Sequence, residues 1–111
     1  MKTNLLACTI VAVGLLASPS AFALDCKASV DKAATAVAKA TDTMKTIKDT
    51  GFKSRVRVLV DDAVMLANSS KRLCGRENAT RQTIARAQAQ AESAIAWAKA
   101  SQDLAAAYEA Q

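Results

Sequence analysis

Few residues in this chain are of a type that could carry out covalent chemistry. The candidates are three cysteines, Cys8, Cys26 and Cys74, and the pair Ser29 and Lys32, and the chain contains no histidine. Without histidine, neither a Ser-His-Asp nor a Cys-His nucleophile can form, and the commonest ligand of zinc and copper is missing. The sequence therefore argues against these classes of hydrolase and predicts no metal site.

Two short patterns resemble parts of catalytic sites but lack the rest. The stretch Ser-Val-Asp-Lys from Ser29 to Lys32 matches S-x-x-K, the nucleophile motif of penicillin-interacting enzymes. Those enzymes also need S-D-N and K-T-G elements in a much larger α/β domain, and neither element is present. Asp61 and Asp62 are adjacent, and neighbours on a helix do not face each other. We interpret the chain as non-enzymatic and expect no cofactor.

The first 23 residues have the layout of a secretory signal peptide. Lys2 precedes an apolar run from Leu5 to Ala17, and the segment ends in Ala-Phe-Ala before Leu24. The run is too short to cross the bilayer core, which takes about 20 apolar residues. Cys8 precedes most of this run, so we assign it to the discarded segment and not to a lipid-modified box. The sequence predicts export, to the periplasm of a bacterial envelope or as a secreted protein.

The predicted mature chain is one small, basic domain. Removal of residues 1–23 leaves 88 of the 111 residues, and loss of Lys2 lowers the net charge from +5 to +4. A chain of this length supports a single modest core. Basic chains often bind nucleic acid, but export argues against that partner. Acidic envelope polymers, lipid head groups or an acidic protein are the expected alternatives.

Cys26 and Cys74 remain after cleavage, and an even cysteine count in a small exported chain indicates a disulfide. The midpoint between them is Thr50, which is followed by Gly51, a helix-breaking residue. An antiparallel helical hairpin requires two arms of equal length. A turn joins them at one end, and a bond can join them at the other. Apolar and small residues recur at intervals of three and four in both arms, which is the pattern of helices packed along a seam.

The sequence predicts an all-α fold: a disulfide-stapled helical hairpin plus a long third helix, with helices over about residues 26–49, 53–74 and 78–109. Asp25 and Asn78 are the expected N-caps of the first and third helices. The predicted seams are, in order, Cys26, Val30, Ala33, Val37, Ala40, Met44 and Ile47; Val56, Val60, Ala63, Ala67, Ser70 and Cys74; and Ile84, Ala87, Ala91, Ala94, Ile95 and Ala98.

The third helix is the longest, and alanine supplies 21 of the 88 mature residues. Alanine favours helix but buries little surface, so the helices must lie close together around a thin core. From its length we expect the third helix to overhang the hairpin at the turn end, to fray there or to meet another chain. Trp97 could mark a binding surface, but its helical spacing from Leu104 and Tyr108 favours a packing residue.

Basic residues gather around the predicted turn. They are Lys45, Lys48, Lys53, Arg55 and Arg57. The first two suit the end of a helix, whose dipole favours positive charge, but the last three begin a helix and oppose its dipole. These five residues are the candidate site for an anion or a partner. The alternative is a solvated face that keeps an alanine-rich bundle soluble, and a second basic group near Cys74 is consistent with it.

Two functions follow as hypotheses. In the first, the protein is an exported binding or adaptor protein that contacts an envelope protein, or another copy of itself, through the third helix. In the second, the basic tip of the hairpin binds an anionic surface such as lipid head groups or acidic polymers. We favour the first because the third helix is long and alanine-rich and because catalytic groups are lacking.

Export and the disulfide are tested together by intact mass. We expect the unreduced exported protein to have the mass of Leu24 to Gln111 minus two hydrogens and to resist alkylation, because both remaining thiols are oxidised. A longer chain, or two alkylatable thiols in the mature chain, would contradict the predicted compartment.

Overall fold

Three α-helices make up the part of the chain that the structure describes. The computed structural model covers the backbone of residues 19–110 and the side chains of residues 26–110. The helices are α1 (Pro19–Lys45), α2 (Thr50–Cys74) and α3 (Arg81–Glu109). Each contacts the other two, and α3 packs against α1 and α2 more extensively than those two pack against each other. The predicted all-α bundle is confirmed.

The chain reverses direction twice, so that α2 runs antiparallel to both of its neighbours. The first turn of α2 meets the last turn of α3, where the rings of Phe52 and Tyr108 stack. Near the other end of α2, the Ser70 hydroxyl donates a hydrogen bond of 2.7 Å to the carbonyl oxygen of Ala87. Of the three alternatives expected from the length of α3, the overhang beyond the turn is therefore wrong. Helix α3 begins later and α2 begins earlier than predicted, so their lengths nearly match.

A disulfide closes the hairpin opposite the turn. Cys26 in α1 is bonded to Cys74, the last residue of α2, and their Cα atoms are 5.9 Å apart. The predicted pairing is confirmed. The bond spans a sequence separation of 48 residues, and closing a loop of that length contributes about 4 kcal/mol in the chain-entropy model. For a domain of this size that is a large share of the stability.

Alanine dominates the interface between the helices. All the residues of the three predicted seams are buried or half-buried. Eight of the buried core residues are alanines, namely Ala33, Ala40, Ala63, Ala87, Ala91, Ala94, Ala98 and Ala105. Side chains this small let helix backbones approach closely, and they leave little free volume for a larger residue. The core is thin, as the composition predicts.

The break between α1 and α2 lies at residues 46–49, not at Thr50 and Gly51. Tight turns carry the chain out of α1, with the amides of Thr46 and Ile47 donating to carbonyls three residues earlier. Asp49 then caps α2, because its Oδ1 accepts a hydrogen bond of 3.1 Å from the Phe52 amide. Gly51 has a negative φ inside the first turn of α2. The carboxylate cap, and not glycine, starts this helix.

Two predicted N-caps are also displaced. Asp25 lies inside α1, which already begins at Pro19, a residue type suited to a first helical turn. The cap of α3 is Thr80 and not Asn78: the Thr80 hydroxyl accepts a hydrogen bond of 3.1 Å from the Thr83 amide. Both Asn and Thr are good caps, so composition alone did not distinguish them.

The predicted signal peptide lies mostly outside the described residues, since residues 1–18, including Cys8, are not among them. From Pro19 onwards α1 runs without interruption through the predicted cleavage point before Leu24. Cleavage there stays a prediction. None of the three described helices combines the length and the apolar character that crossing a bilayer demands.

The close packing of the alanine seam predicts that substitutions at two neighbouring positions in α3 differ sharply in their effect on stability. Ala94 is fully buried, whereas Ala96 is exposed. We expect Ala94→Leu to lower the free energy of unfolding by about 1–3 kcal/mol, because added methylenes overfill a packed interface. Ala96→Leu should be close to neutral. Urea unfolding of both variants measures the difference, and equal effects would contradict a tightly packed seam.

Candidate functional site

The five predicted basic residues lie at one end of the bundle, around the linker between α1 and α2. Lys45 is the last residue of α1, and Lys48 lies in the linker and not, as predicted, in the last helical turn. Lys53, Arg55 and Arg57 occupy the first two turns of α2. Lys53 is half-buried and the other four are exposed. The five cations thus lie on two short segments of the chain, but they do not share one face.

Three of the five cations line a single cleft between α1 and α2. The cleft, which we call the basic cleft, has a volume of about 390 Å³ and is lined by Met44, Lys45, Thr50, Lys53, Ser54 and Arg57. Lys53 and Arg57 are four residues apart, so they lie on the same face of α2. Lys45 faces them from the end of α1. Three cations that are clustered in the sequence thus line one concave surface.

Arg55 and Lys48 do not belong to this cleft. A rotation of about 100° per residue turns Arg55 well away from Lys53 and Arg57, towards α3. There it lines a separate depression with Asp49, Phe52 and Tyr108. Lys48 lines neither depression. The predicted site of five residues therefore divides into three that converge and two that do not.

Asp49 ties the turn to the end of α3. While Oδ1 caps α2, Oδ2 accepts a hydrogen bond of 2.9 Å from the Tyr108 hydroxyl. The Tyr108 ring lies on that of Phe52 with a centroid distance of 3.9 Å and an interplanar angle of 12°. Both carboxylate oxygens are thus engaged within the protein. This contact was not predicted from the sequence. It joins residues 59 positions apart, and it forms only because the helices between them have matching lengths.

A second surface lies between α2 and α3. Large apolar side chains are exposed along it, with 64% of Met65 and 40% of Trp97 accessible to solvent. We call this surface the apolar groove, and its exposed large apolar residues are Met65 and Trp97. Trp97 was expected to be a packing residue, yet it lines an open depression of about 400 Å³ with Met65, Leu66 and Arg72. The periodicity placed Trp97 on a helix edge but did not show whether a neighbour covers it.

Two residues of the catalytic-like patterns, Lys32 and Asp62, line different depressions. Lys32 is exposed and lines a shallow depression between α1 and α3, among Lys39, Lys99 and Asp31. Asp62 borders the apolar groove, whereas the neighbouring Asp61 does not. Within residues 19–110, no group of three or more Cys, Asp or Glu side chains is placed to hold a metal ion.

The two hydrogen bonds to Asp49 make its ionisation sensitive to Tyr108. The Phe52 amide and then the Tyr108 hydroxyl lower the pKa of Asp49 below its ordinary value of 3.8. The same bond raises the pKa of Tyr108 above its ordinary value of 10.0, because deprotonation would place two negative charges together. The stabilisation from ionised Asp49 is therefore complete above pH 3.8 and is lost as the pH falls through the lower folded value.

We expect Tyr108→Phe to raise the pKa of Asp49, since the substitution removes the hydroxyl donor and keeps an aromatic ring for stacking. The cap from Phe52 persists, so the pKa should stay below 3.8. Carbon-detected NMR titration of the Asp49 carboxyl group measures the change. Tyr108→Leu, which also removes the ring, separates loss of the bond from loss of stacking. An unchanged Asp49 pKa in Tyr108→Phe would show that the bond does not form in solution.

No family model matches this chain, and neither a curated protein nor a solved structure is significantly similar to it. The function is therefore argued from the two surfaces described above.

Proposed function

We propose that the protein is an exported, non-enzymatic helical binding protein that acts through protein–protein contacts, with an envelope protein or with another copy of itself. The observation that carries this proposal is the apolar groove between α2 and α3, where Met65 and Trp97 are exposed side by side. The contact surface is thus assigned to the groove and not to an overhanging end of α3.

The distribution of large and small side chains supports a binding role for the groove. In α3, the buried positions after Ile84 hold only alanine and serine, while Trp97, Leu104 and Tyr108 are exposed. Burial of the largest apolar side chains would stabilise the fold more than burial of alanine and serine, because the hydrophobic free energy grows with the apolar area removed from water. Selection for stability alone therefore does not explain this distribution. Exposed Trp and Met on adjacent helices are typical of protein interaction sites.

The shape of the groove fits a helical partner. It runs between two antiparallel helices, and α2 lines it with Asp62, Met65, Ser69 and Arg72, which recur at intervals of three and four positions. This is the spacing at which a further amphipathic helix inserts its own apolar side chains. A partner helix seated there would complete a four-helix bundle. The exposed side chains would then become part of a core.

The exported and non-enzymatic parts of the proposal are supported by the sequence. The layout of residues 1–23 is that of a signal peptide, and the Cys26–Cys74 disulfide is of a kind that persists in oxidising compartments. The lack of histidine removes the usual general base. These features favour a binding protein of the periplasm or the cell exterior.

Site-directed photo-crosslinking tests the groove. We expect a photoreactive phenylalanine derivative in place of Met65 to give a discrete adduct in the exporting cell, either with a second copy or with one other protein. The same probe in place of Ala38, which is exposed on α1, should give none. The adduct should be lost in Trp97→Ser, because that substitution removes the largest apolar contact in the groove.

Two results would contradict the proposal. One is a purely monomeric species in analytical ultracentrifugation together with no adduct from position 65 beyond that from position 38. The other is an adduct that persists unchanged in Trp97→Ser, which would place the contact elsewhere. Thermal unfolding of Trp97→Ser serves as the control that the bundle is intact.

A further inference from the structure

We propose that the basic cleft between α1 and α2 binds a phosphate group, carried either by a soluble phosphorylated compound or by a phospholipid head group. This site lies on the other side of α2 from the apolar groove and does not depend on the protein-binding function. Its residues are three of the five cations that cluster in the sequence around the turn, with Met44, Thr50 and Ser54 completing the wall.

The cleft concentrates positive charge on its lining. Lys45, Lys53 and Arg57 line it together, and no carboxylate is among its lining residues. Asp49, the acid nearest to the turn, directs its two oxygens to the Phe52 amide and the Tyr108 hydroxyl. Along the helices, the next acids are Asp42 and Asp61, and neither lines the cleft.

This arrangement costs free energy in the unliganded protein. Lys53 and Arg57 are like charges four residues apart on one helix face, which is a destabilising spacing. Both lie in the first two turns of α2, where the helix dipole disfavours positive charge. Lys53 is half-buried, so solvent screens it less than its neighbours. A bound anion would relieve all three penalties at once.

The groups in the cleft suit phosphate better than a carboxylate. A tetrahedral phosphate presents three or more oxygens in different directions, and here cations approach from two helices. The Arg57 guanidinium is a planar fork that can bond two of those oxygens, and the two lysines act as compact point charges. The Ser54 hydroxyl already donates to the Thr50 carbonyl oxygen. Additional donors must therefore come from the cations and from Thr50.

The size of the cleft admits more than the anion itself. Its volume of about 390 Å³ lies within the range of about 300–1,000 Å³ that is usual for small-molecule sites. Met44 supplies an apolar surface beside the charges. A phosphate attached to a larger group, such as a sugar, a nucleoside or a glycerol backbone, therefore fits the chemistry of the site.

The position of Lys48 allows a specific site to be distinguished from a diffuse positive surface. Lys48 and Lys53 are five residues apart and carry the same charge, but only Lys53 lines the cleft. Attraction to diffuse charge depends on net charge, so Lys48→Gln and Lys53→Gln should weaken it equally. Binding at a specific site should instead be weakened by Lys53→Gln and not by Lys48→Gln. Circular dichroism and thermal unfolding establish that both variants keep the bundle.

The experiment is an NMR titration of the isotope-labelled protein with inorganic pyrophosphate at physiological salt. We expect saturable shifts centred on the amides of Thr50 and Lys53. Lys53→Gln and Arg57→Gln should each weaken binding about five- to ten-fold, because each removes one charge-assisted contact from a partly exposed site. Lys48→Gln should change the affinity less than about two-fold, since solvent and salt screen its charge.

Sedimentation with vesicles of phosphatidylglycerol in phosphatidylcholine is the second arm. Binding of pyrophosphate without vesicle binding would identify a soluble phosphorylated ligand, and vesicle binding that depends on Lys53 but not on Lys48 would identify a lipid phosphate. Equal losses for Lys48→Gln and Lys53→Gln in whichever arm shows binding would overturn the site and leave only diffuse charge. Failure to bind in both arms would also overturn it. The photo-crosslinking result at Met65 is independent of either outcome.

Discussion

Small side chains at the helix interfaces are the constraint on which the rest of this structure depends. Fully buried alanines line the contact of α3 with its two neighbours, and they allow the backbones to approach closely. Such a core buries little apolar area per residue, so burial alone stabilises it weakly. The disulfide between Cys26 and Cys74 compensates by limiting the unfolded chain at the end of the hairpin opposite the turn. The closely packed seam also has no room for Trp97, which therefore lies at the surface.

At the other end of the hairpin, Asp49 has a corresponding role. One carboxylate connects three elements, because it ends the linker after α1, caps α2 and accepts the hydroxyl of Tyr108 from α3. The stacked rings of Phe52 and Tyr108 cover this junction. The Asp49 carboxylate does not line the basic cleft, and its charge interacts with Arg55 on the α3 side of α2.

Helix α2 presents different chemistry on its two flanks. Towards α1 it contributes Lys53 and Arg57 to the basic cleft, and towards α3 it contributes Met65 and Leu66 to the apolar groove. The two surfaces follow from the helical rotation of about 100° per residue, which separates side chains only two positions apart. One short helix can therefore support two independent contacts. Because the disulfide and the Asp49 junction hold both ends of α2, both surfaces are rigidly presented.

The helical class, the seams and the disulfide follow from the order of residues alone. Periodic small residues from Cys26 to Ile47 could only be buried on one face, and equal arms on either side of a turn brought Cys26 to Cys74. The seams depend on residue spacing within one helix, and the disulfide depends on two arms of equal length. Both could therefore be predicted from residue positions alone. The ends of the helices were less predictable, since several good caps compete within a few residues. Asp49 starts α2 ahead of the predicted break at Thr50 and Gly51, and Thr80 caps α3 in place of Asn78.

Only the tertiary structure decided which side chains meet and which are left uncovered. The five clustered cations looked equivalent in the sequence, yet the rotation of α2 and the end of α1 bring together Lys45, Lys53 and Arg57 alone. Likewise, Trp97 occupies a helix-edge position, and only the packing of α3 against α2 leaves it exposed beside Met65. The contact between Asp49 and Tyr108 joins residues 59 positions apart. Such features depend on the relative placement of whole helices, which periodicity within one helix does not specify.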